Sequence, residues 1–309
     1  MEPEIADRVA AIANDRISGA AALTAEAAAA LAALADLSRA VRPDQFNADL
    51  LEAGTYLIQA QPSMASILNL VNTAITVIER VASLEDRRNV LRTTARTFPN
   101  QLSLRNRKVA QLALDLFGDG TTVVTLSYSS TVFGVLLAAH TGGRRLRVVC
   151  AESRPQREGI LLAQDLGKAG IPCTLVIDAA LADALDEADV VLVGADSVAA
   201  NGLVNKIGTR LLTLVARVLD VPCYALTSRL KFWPAHLPDP PPIEDRDPAE
   251  VLADVPDNVS VVNRAFDRTP LDLLTGLVCE RGVLGPAEMR AELDRVPLHP
   301  QVRALLEHD

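Results

Sequence analysis

The sequence predicts an α/β protein in which an N-terminal helical domain precedes a Rossmann-like, doubly wound, mostly parallel sheet. Apolar residues recur at three- and four-residue steps as far as about Leu91, the period of amphipathic helices. From Thr122 onward, short β-branched runs alternate with segments of helix length, the pattern of βαβ units in a sheet buried on both faces. The chain is 49% apolar but only 3% aromatic, and its Ala, Val and Leu suit helices packed on a sheet; 309 residues suffice for one large core or two modest ones. The expected division is a helical domain over residues 1–104 and a Rossmann-like ligand-binding and dimerisation domain over 105–309.

In chain order, the Ala-rich run Ala20 to Leu34 has high helix propensity, and Met64, Ile67, Leu68, Val71, Ile75 and Ile78 mark the face of a later helix. Breaks at Arg42-Pro43, Gly54 and Gln61-Pro62 divide this region into a bundle of about four helices. The periodicity changes past Phe98-Pro99-Asn100. Thr122–Leu126, Leu146–Cys150, Cys173–Ile177, Val190–Val193 and Pro222–Leu226 read as strands, with Val259–Val262 and Leu277–Glu280 as further ones. Right-handed crossovers then place helices on both faces. The acidic segment Pro234 to Pro256, with its Pro-rich run Pro238 to Pro242, reads as a surface excursion.

The net charge of -9 argues against a general binder of nucleic acid or anionic membranes, because phosphate backbones reward clustered Lys and Arg. Met1-Glu2-Pro3-Glu4 lacks the basic start of a signal peptide and no apolar run is expected to reach bilayer length, so a cytoplasmic protein is expected. Cys150, Cys173, Cys223 and Cys279 are widely spaced in or beside apolar strands, which favours buried reduced thiols over a disulfide framework or zinc site. The four histidines are scattered, and no metal or cofactor is expected.

Chemistry is expected where Val190–Val193 runs into Gly194-Ala195-Asp196-Ser197-Val198, then Asn201-Gly202 and Asn205-Lys206-Ile207-Gly208-Thr209. Ligands of open parallel sheets bind beyond the carboxyl ends of the strands, which makes Asp196 the first candidate for a working carboxylate. After Thr125-Leu126 come Ser127-Tyr128-Ser129-Ser130, where a hydroxyl caps a helix whose amino terminus also attracts phosphate. Capping accounts for one serine; four polar residues in a row point to a ligand site.

These motifs resemble those of ribose-1,5-bisphosphate isomerases, methylthioribose-1-phosphate isomerases and the alpha, beta and delta subunits of translation initiation factor 2B. Further matches follow in order: Ala151-Glu152-Ser153-Arg154-Pro155, Ala169-Gly170-Ile171-Pro172, Lys231-Phe232 and Asn263-Arg264-Ala265-Phe266-Asp267-Arg268-Thr269-Pro270. The resemblance is strong from about Thr121 to Arg281 and weak before Leu104. It implies an aldose-ketose isomerase of a ribose 1-phosphate derivative, of the ribose 1,5-bisphosphate type, that works without cofactor or metal as a homodimer or higher homo-oligomer. The alternative is a non-catalytic regulator that binds a sugar phosphate or nucleotide and contacts a protein partner.

On this resemblance Asp196 and Ser127 are the catalytic candidates. Arg42, Ser129, Ser130, Arg154, Asn205, Lys206 and Lys231 are the substrate-binding ones. The isomerases carry a cysteine where this chain has Ser127, and a hydroxyl needs an adjacent base where a thiol ionises near neutral pH. They also carry Arg-Gly-Ala where Ser18-Gly19-Ala20 stands, leaving Arg16 or Arg42 either to grip phosphate with a planar fork or to remain a solvated helix charge. For Arg154 the bland role is an ion pair with Glu152, and for Lys231 a strand-end cap. Asn205, Lys206 and the amides after them are expected to hold hydroxyls and phosphate together. Asp267-Arg268-Thr269-Pro270 reads as organising a C-terminal helix start or a dimer contact. The apolar segment around Leu271 to Val278 is the expected dimer surface.

Overall fold

Helical periodicity becomes helices in the first part of the chain: α1 (Pro3–Asn14), α2 (Ala20–Leu37), α3 (Pro43–Ala60), α4 (Ala65–Ile78) and α5 (Leu84–Ala113). The computed structural model describes residues 1–237, 239–240, 243 and 245–307, so Pro238, Pro241 and Pro242 of the Pro-rich run lie outside the described residues. Two compact units form, one of Met1–Leu104, Leu230–Pro240 and Leu293–Asp309, the other of Arg105–Arg229 and Pro241–Glu292.

Three details of the helical unit differ from expectation. Gly54 breaks nothing; it lies inside α3, where an added Cβ would stand 2.6 Å from Val71 Cγ1 of α4, so the glycine permits close helix approach. Pro99 does not end the helical region either. A proline forfeits one intrahelical bond, but α5 continues to Ala113 because Val109 and Ala113 are fully buried in the core of the second unit. Lastly, the 18-residue α2, of mean hydropathy 1.5, is long and apolar enough to cross a membrane. Half of it is buried inside the protein, including Leu23, Ala27, Leu31 and Leu34, the burial of a bundle's core helix.

Two asparagines of α4 anchor the segments that return to this unit. Asn69 Nδ2 donates to the carbonyls of Leu230 and Phe232, both at 2.9 Å. Asn72 donates to Pro297 O at 3.0 Å and accepts from the His299 amide at 2.7 Å. Buried Trp233 and Leu237 show that the excursion starts inside the core rather than on the surface.

The second unit holds the parallel sheet. Its strands are β1 (Thr121–Thr125), β2 (Leu146–Ala151), β3 (Cys173–Val176), β4 (Val190–Val193), β5 (Ser197–Ala199), β6 (Gly202–Lys206), β7 (Cys223–Leu226), β8 (Phe266–Thr269), β9 (Gly276–Cys279) and β10 (Gly282–Leu284). The helices are α6 (Ser130–Thr141), α7 (Glu158–Lys168), the short α8 (Leu181–Ala184), α9 (Thr209–Val218), α10 (Pro286–Leu293) and α11 (Pro300–Glu307). Seven strands order as β10-β9-β7-β4-β1-β2-β3, all parallel except β10 against β9. This is the doubly wound, mostly parallel sheet that the sequence predicts.

The expected strand Val259–Val262 does not form; Val259 and Val262 are 45% and 68% exposed, with no sheet face to cover them. The polar stretch after β4 instead builds a separate antiparallel sheet, β5-β6-β8, turning at Asn201-Gly202. The presumed dimer segment is core, with Leu271, Leu274, Leu277 and Val278 all buried.

Gly159, in the first turn of α7, lies against the end of β2, where an added Cβ would meet Ala151 O at 1.7 Å. Gly159→Ala is therefore expected to destabilise by at least about 1–3 kcal/mol, since a backbone carbonyl cannot rotate away as a side chain can. Urea unfolding checks this: the midpoint should fall at unchanged slope. A wild-type midpoint would contradict the packing described.

Candidate active site

From β1 the sheet grows in one direction through β2 and β3, and from β4 in the other through β7 and β9. The reversal opens a crevice beyond the carboxyl ends of these two adjacent strands, the place where open α/β sheets bind ligands. Ser127 follows β1 and Asp196 follows β4, and the pairing Val124↔Val191 puts both on the same edge of the sheet.

Contacts gather further residues there. An added Cβ on Gly194 would lie 2.7 Å from Ser129 Oγ and 3.4 Å from Asn205 Oδ1, so Ser129, Gly194 and Asn205 meet in one place that only glycine can share. Ser129 caps α6, accepting from the Val132 amide at 3.3 Å. Exposed Ser130 opens that helix, and its amide with that of Thr131 lies ahead of the first intrahelical bond, a favourable position for an anion. Asn205 is 7% exposed and donates to Thr209 Oγ1 at 3.0 Å, which leaves its carbonyl oxygen toward Gly194. Asp196 is half-buried, its amide donating to Val204 O at 2.8 Å.

The loops after β1 and β2 hold one another. Ser127 (φ 59°) and Ser153 (φ 65°) adopt the left-handed conformation that non-glycine residues avoid. The Ser127 amide donates to Ser153 Oγ at 2.7 Å, while the amides of Ser153 and Arg154 each donate to the Asp178 carboxylate at 2.8 Å. Strain of order 1–3 kcal/mol per residue persists only where surroundings over-determine it, as these bonds do. The Ser127 hydroxyl has no partner among the described residues, and Arg154 is half-exposed without the ion pair to Glu152.

Lys206 sits differently from expectation. Its ammonium is 2% exposed and donates to Gln156 Oε1 at 2.7 Å and Glu158 Oε1 at 3.0 Å. Burial pulls its pKa down, opposed by the Glu158 charge. The amides following Lys206 are occupied too: those of Gly208 and Arg210 donate to Asp267 at 2.8 and 3.0 Å, so a carboxylate of the chain itself caps α9. Burial raises the Asp267 pKa against these bonds. Asp267 is thus an organiser of a helix start, but the helix is α9 and the residue stands on β8.

Arg42 and Lys231 belong to the helical unit. Arg42 is exposed and engages Asp44 in two bonds, at 3.0 and 3.1 Å. Exposed Arg16 precedes Ser18-Gly19-Ala20, where α2 begins. Lys231 lies half-buried in the turn Arg229–Lys231. Sequence reasoning missed Ser153, Gln156, Glu158 and Asp178. Asp178 carried a usable signal: it follows the apolar run of β3 as Asp196 follows β4.

The chain is 33% identical to the ribose 1,5-bisphosphate isomerase of Archaeoglobus fulgidus over 287 residues, 92% of this chain and 90% of that protein. Among solved structures, the translation initiation factor eIF-2B of Pyrococcus horikoshii OT3 matches with TM-score 0.80 and 28% identity, covering 93% of this chain and 98% of its own. The 5-methylthioribose 1-phosphate isomerase of the same organism matches with TM-score 0.74 and 26% identity, covering 99% and 88%. A model of the Initiation factor 2 subunit family matches residues 16–286, and on that coverage the chain belongs to the Initiation factor 2 subunit family.

Proposed function

We propose that this protein is an aldose-ketose isomerase acting on a ribose 1-phosphate derivative of the ribose 1,5-bisphosphate type. The observation that carries the reading is the placement of Asp196 and Ser127 beyond adjacent strands at the sheet's reversal point, beside the meeting of Ser129, Gly194 and Asn205. The likeness to ribose 1,5-bisphosphate isomerases over nine-tenths of the chain supports it.

Such an isomerisation moves one hydrogen from the second sugar carbon to the first. The 2-hydroxyl loses its proton as it becomes a carbonyl, and the ring oxygen gains one as the ring opens. Asp196 is the group for this exchange, taking the hydroxyl proton as carboxylate and returning it as acid. The Ser127 hydroxyl, which does not ionise near neutral pH, donates to a substrate oxygen. Arg154 and the amino terminus of α6 bind phosphate, with Ser129, Ser130 and Asn205 on the sugar. Lys206 is assigned a positioning role through Gln156 and Glu158.

The regulatory reading has two observations in its favour, the serines at positions 127 and 18. In either case the active form is assigned as a cytoplasmic homodimer. Its interface is placed on α9, where Leu211, Leu214 and Val218 are 63%, 40% and 80% exposed along one helix face.

Asp196→Asn is expected to keep phosphosugar binding, read as a thermal shift, but to lose turnover on the order of 100-fold or more, because the amide cannot take a proton. Unchanged ketose formation would assign the proton to another residue. Ser127→Cys is expected to preserve or raise turnover; if wild type and Ser127→Cys both bind ribose 1,5-bisphosphate and neither converts it, the regulatory reading replaces the enzyme. Light scattering should give a dimer mass for the wild type, on an interface above about 1,000 Å², and a monomer for Leu214→Asp. A wild-type monomer at every concentration would rule out the assembly.

A further inference from the structure

The four free cysteines are far apart in sequence, yet two converge. Cys150 of β2 and Cys173 of β3 lie in adjacent parallel strands, two positions out of register, with their sulfurs 3.5 Å apart. That is van der Waals contact, about 1.5 Å from a disulfide bond of about 2.05 Å. We propose that Cys150 and Cys173 form an oxidation-sensitive dithiol that a small hydroperoxide converts to a disulfide.

The two thiols differ as an attacking and a resolving cysteine must. Cys173 is half-buried on β3, the edge strand of the sheet, with neighbouring Thr174 and Leu175 exposed, so a small oxidant reaches it. Cys150 is fully buried, with a second contact to Gly159 O at 3.7 Å. The hydrogen bond from the Cys150 thiol holds the Cys173 thiol below its ordinary pKa, and the same bond with burial pushes Cys150 up. A thiolate is the nucleophile toward peroxide, which selects Cys173. The other two cysteines are unsuited: Cys223 and Cys279 are buried, and burial pushes the Cys223 thiol up to about 12.

The chemistry balances without a cofactor. The Cys173 thiolate attacks the peroxide O–O bond, taking one oxygen as a sulfenic acid while the other leaves as hydroxide. The Cys150 sulfur then displaces hydroxide from the Cys173 sulfur, its proton completing a second water. Two thiols and one hydrogen peroxide thus give one disulfide and two waters. The new bond joins the strands that lead into Asp178 and into Ser153-Arg154, the residues that fix the loop beside Ser127. A disulfide of this kind is transient and sensory in a reducing compartment rather than structural.

The test uses the full-length protein, reduced, freed of reductant and exposed to hydrogen peroxide, then blocked with N-ethylmaleimide and digested without reduction. The expected result is loss of two of the four thiols, a Cys150–Cys173 linked peptide lighter by two hydrogens, and full reversal by dithiothreitol. Cys150→Ser should convert the product to a Cys173 sulfenic acid trapped by dimedone, and Cys173→Ser should leave the remaining thiols unoxidised. Circular dichroism confirms that each variant is folded. No linkage in the wild type, or oxidation of Cys223 or Cys279 as fast as Cys173, overturns the proposal. The readout is independent of any sugar-phosphate turnover.

Discussion

A parallel sheet begun at its centre must reverse somewhere, and in this chain the reversal comes after β3, when the chain returns to the other side of β1. Here the return places β4 directly beside β1, and the loops leaving these strands meet beyond their carboxyl ends. The crevice between them is the constraint from which the remaining site geometry follows. Gly194 stands where the two loops touch, and the tolerance there is below that of a methyl group, given the 2.7 Å from its missing Cβ to Ser129 Oγ. The hairpin of β5 and β6 then carries the chain back, so that Asn205 reaches the same point as Asp196.

Much of the polarity around this crevice is engaged by the protein itself. Asp267 caps α9, Glu158 holds Lys206, and Asp178 holds the amides of Ser153 and Arg154. Removing any of these carboxylates leaves buried donors unmatched, a cost of about 1–3 kcal/mol for a neutral donor and more for an ammonium. The amino terminus of α6 is treated differently. Only the Val132 amide is satisfied by the cap, and Ser127 holds its left-handed turn through its backbone, keeping its hydroxyl for other use. Self-satisfaction at α9 and incomplete satisfaction at α6 distinguish a structural helix terminus from one suited to a ligand.

The same sheet explains why the four thiols are not equivalent. Cys150, Cys223 and Cys279 occupy strands flanked on both sides, whereas Cys173 begins an edge strand. A hydrogen-bonded pair half open to solvent is chemically distinct from an isolated buried thiol, although all four look alike as single apolar positions in the sequence.

The sequence by itself determined the elements whose signal is local: the five principal parallel strands, the helices of the first unit, and Asp196 and Ser127 as residues that follow strands. Periodicity and β-branching are properties of a few neighbours, so they survive without knowledge of the fold. Signals failed where a distant partner decides the outcome. Gly54 resembles a helix break until Val71 is known to pack against it, and Pro99 resembles a terminus until burial of Val109 and Ala113 is seen to hold the helix together. Leu271 to Val278 resembles an interface until β9 is found inside the sheet. Only the tertiary structure decided which charges serve the fold. Whether Lys206 meets a ligand or Glu158, and whether α9 accepts phosphate or Asp267, depends on residues about 50 to 60 positions away, and a carboxylate brought that close outcompetes the water that would otherwise solvate the cation or amides.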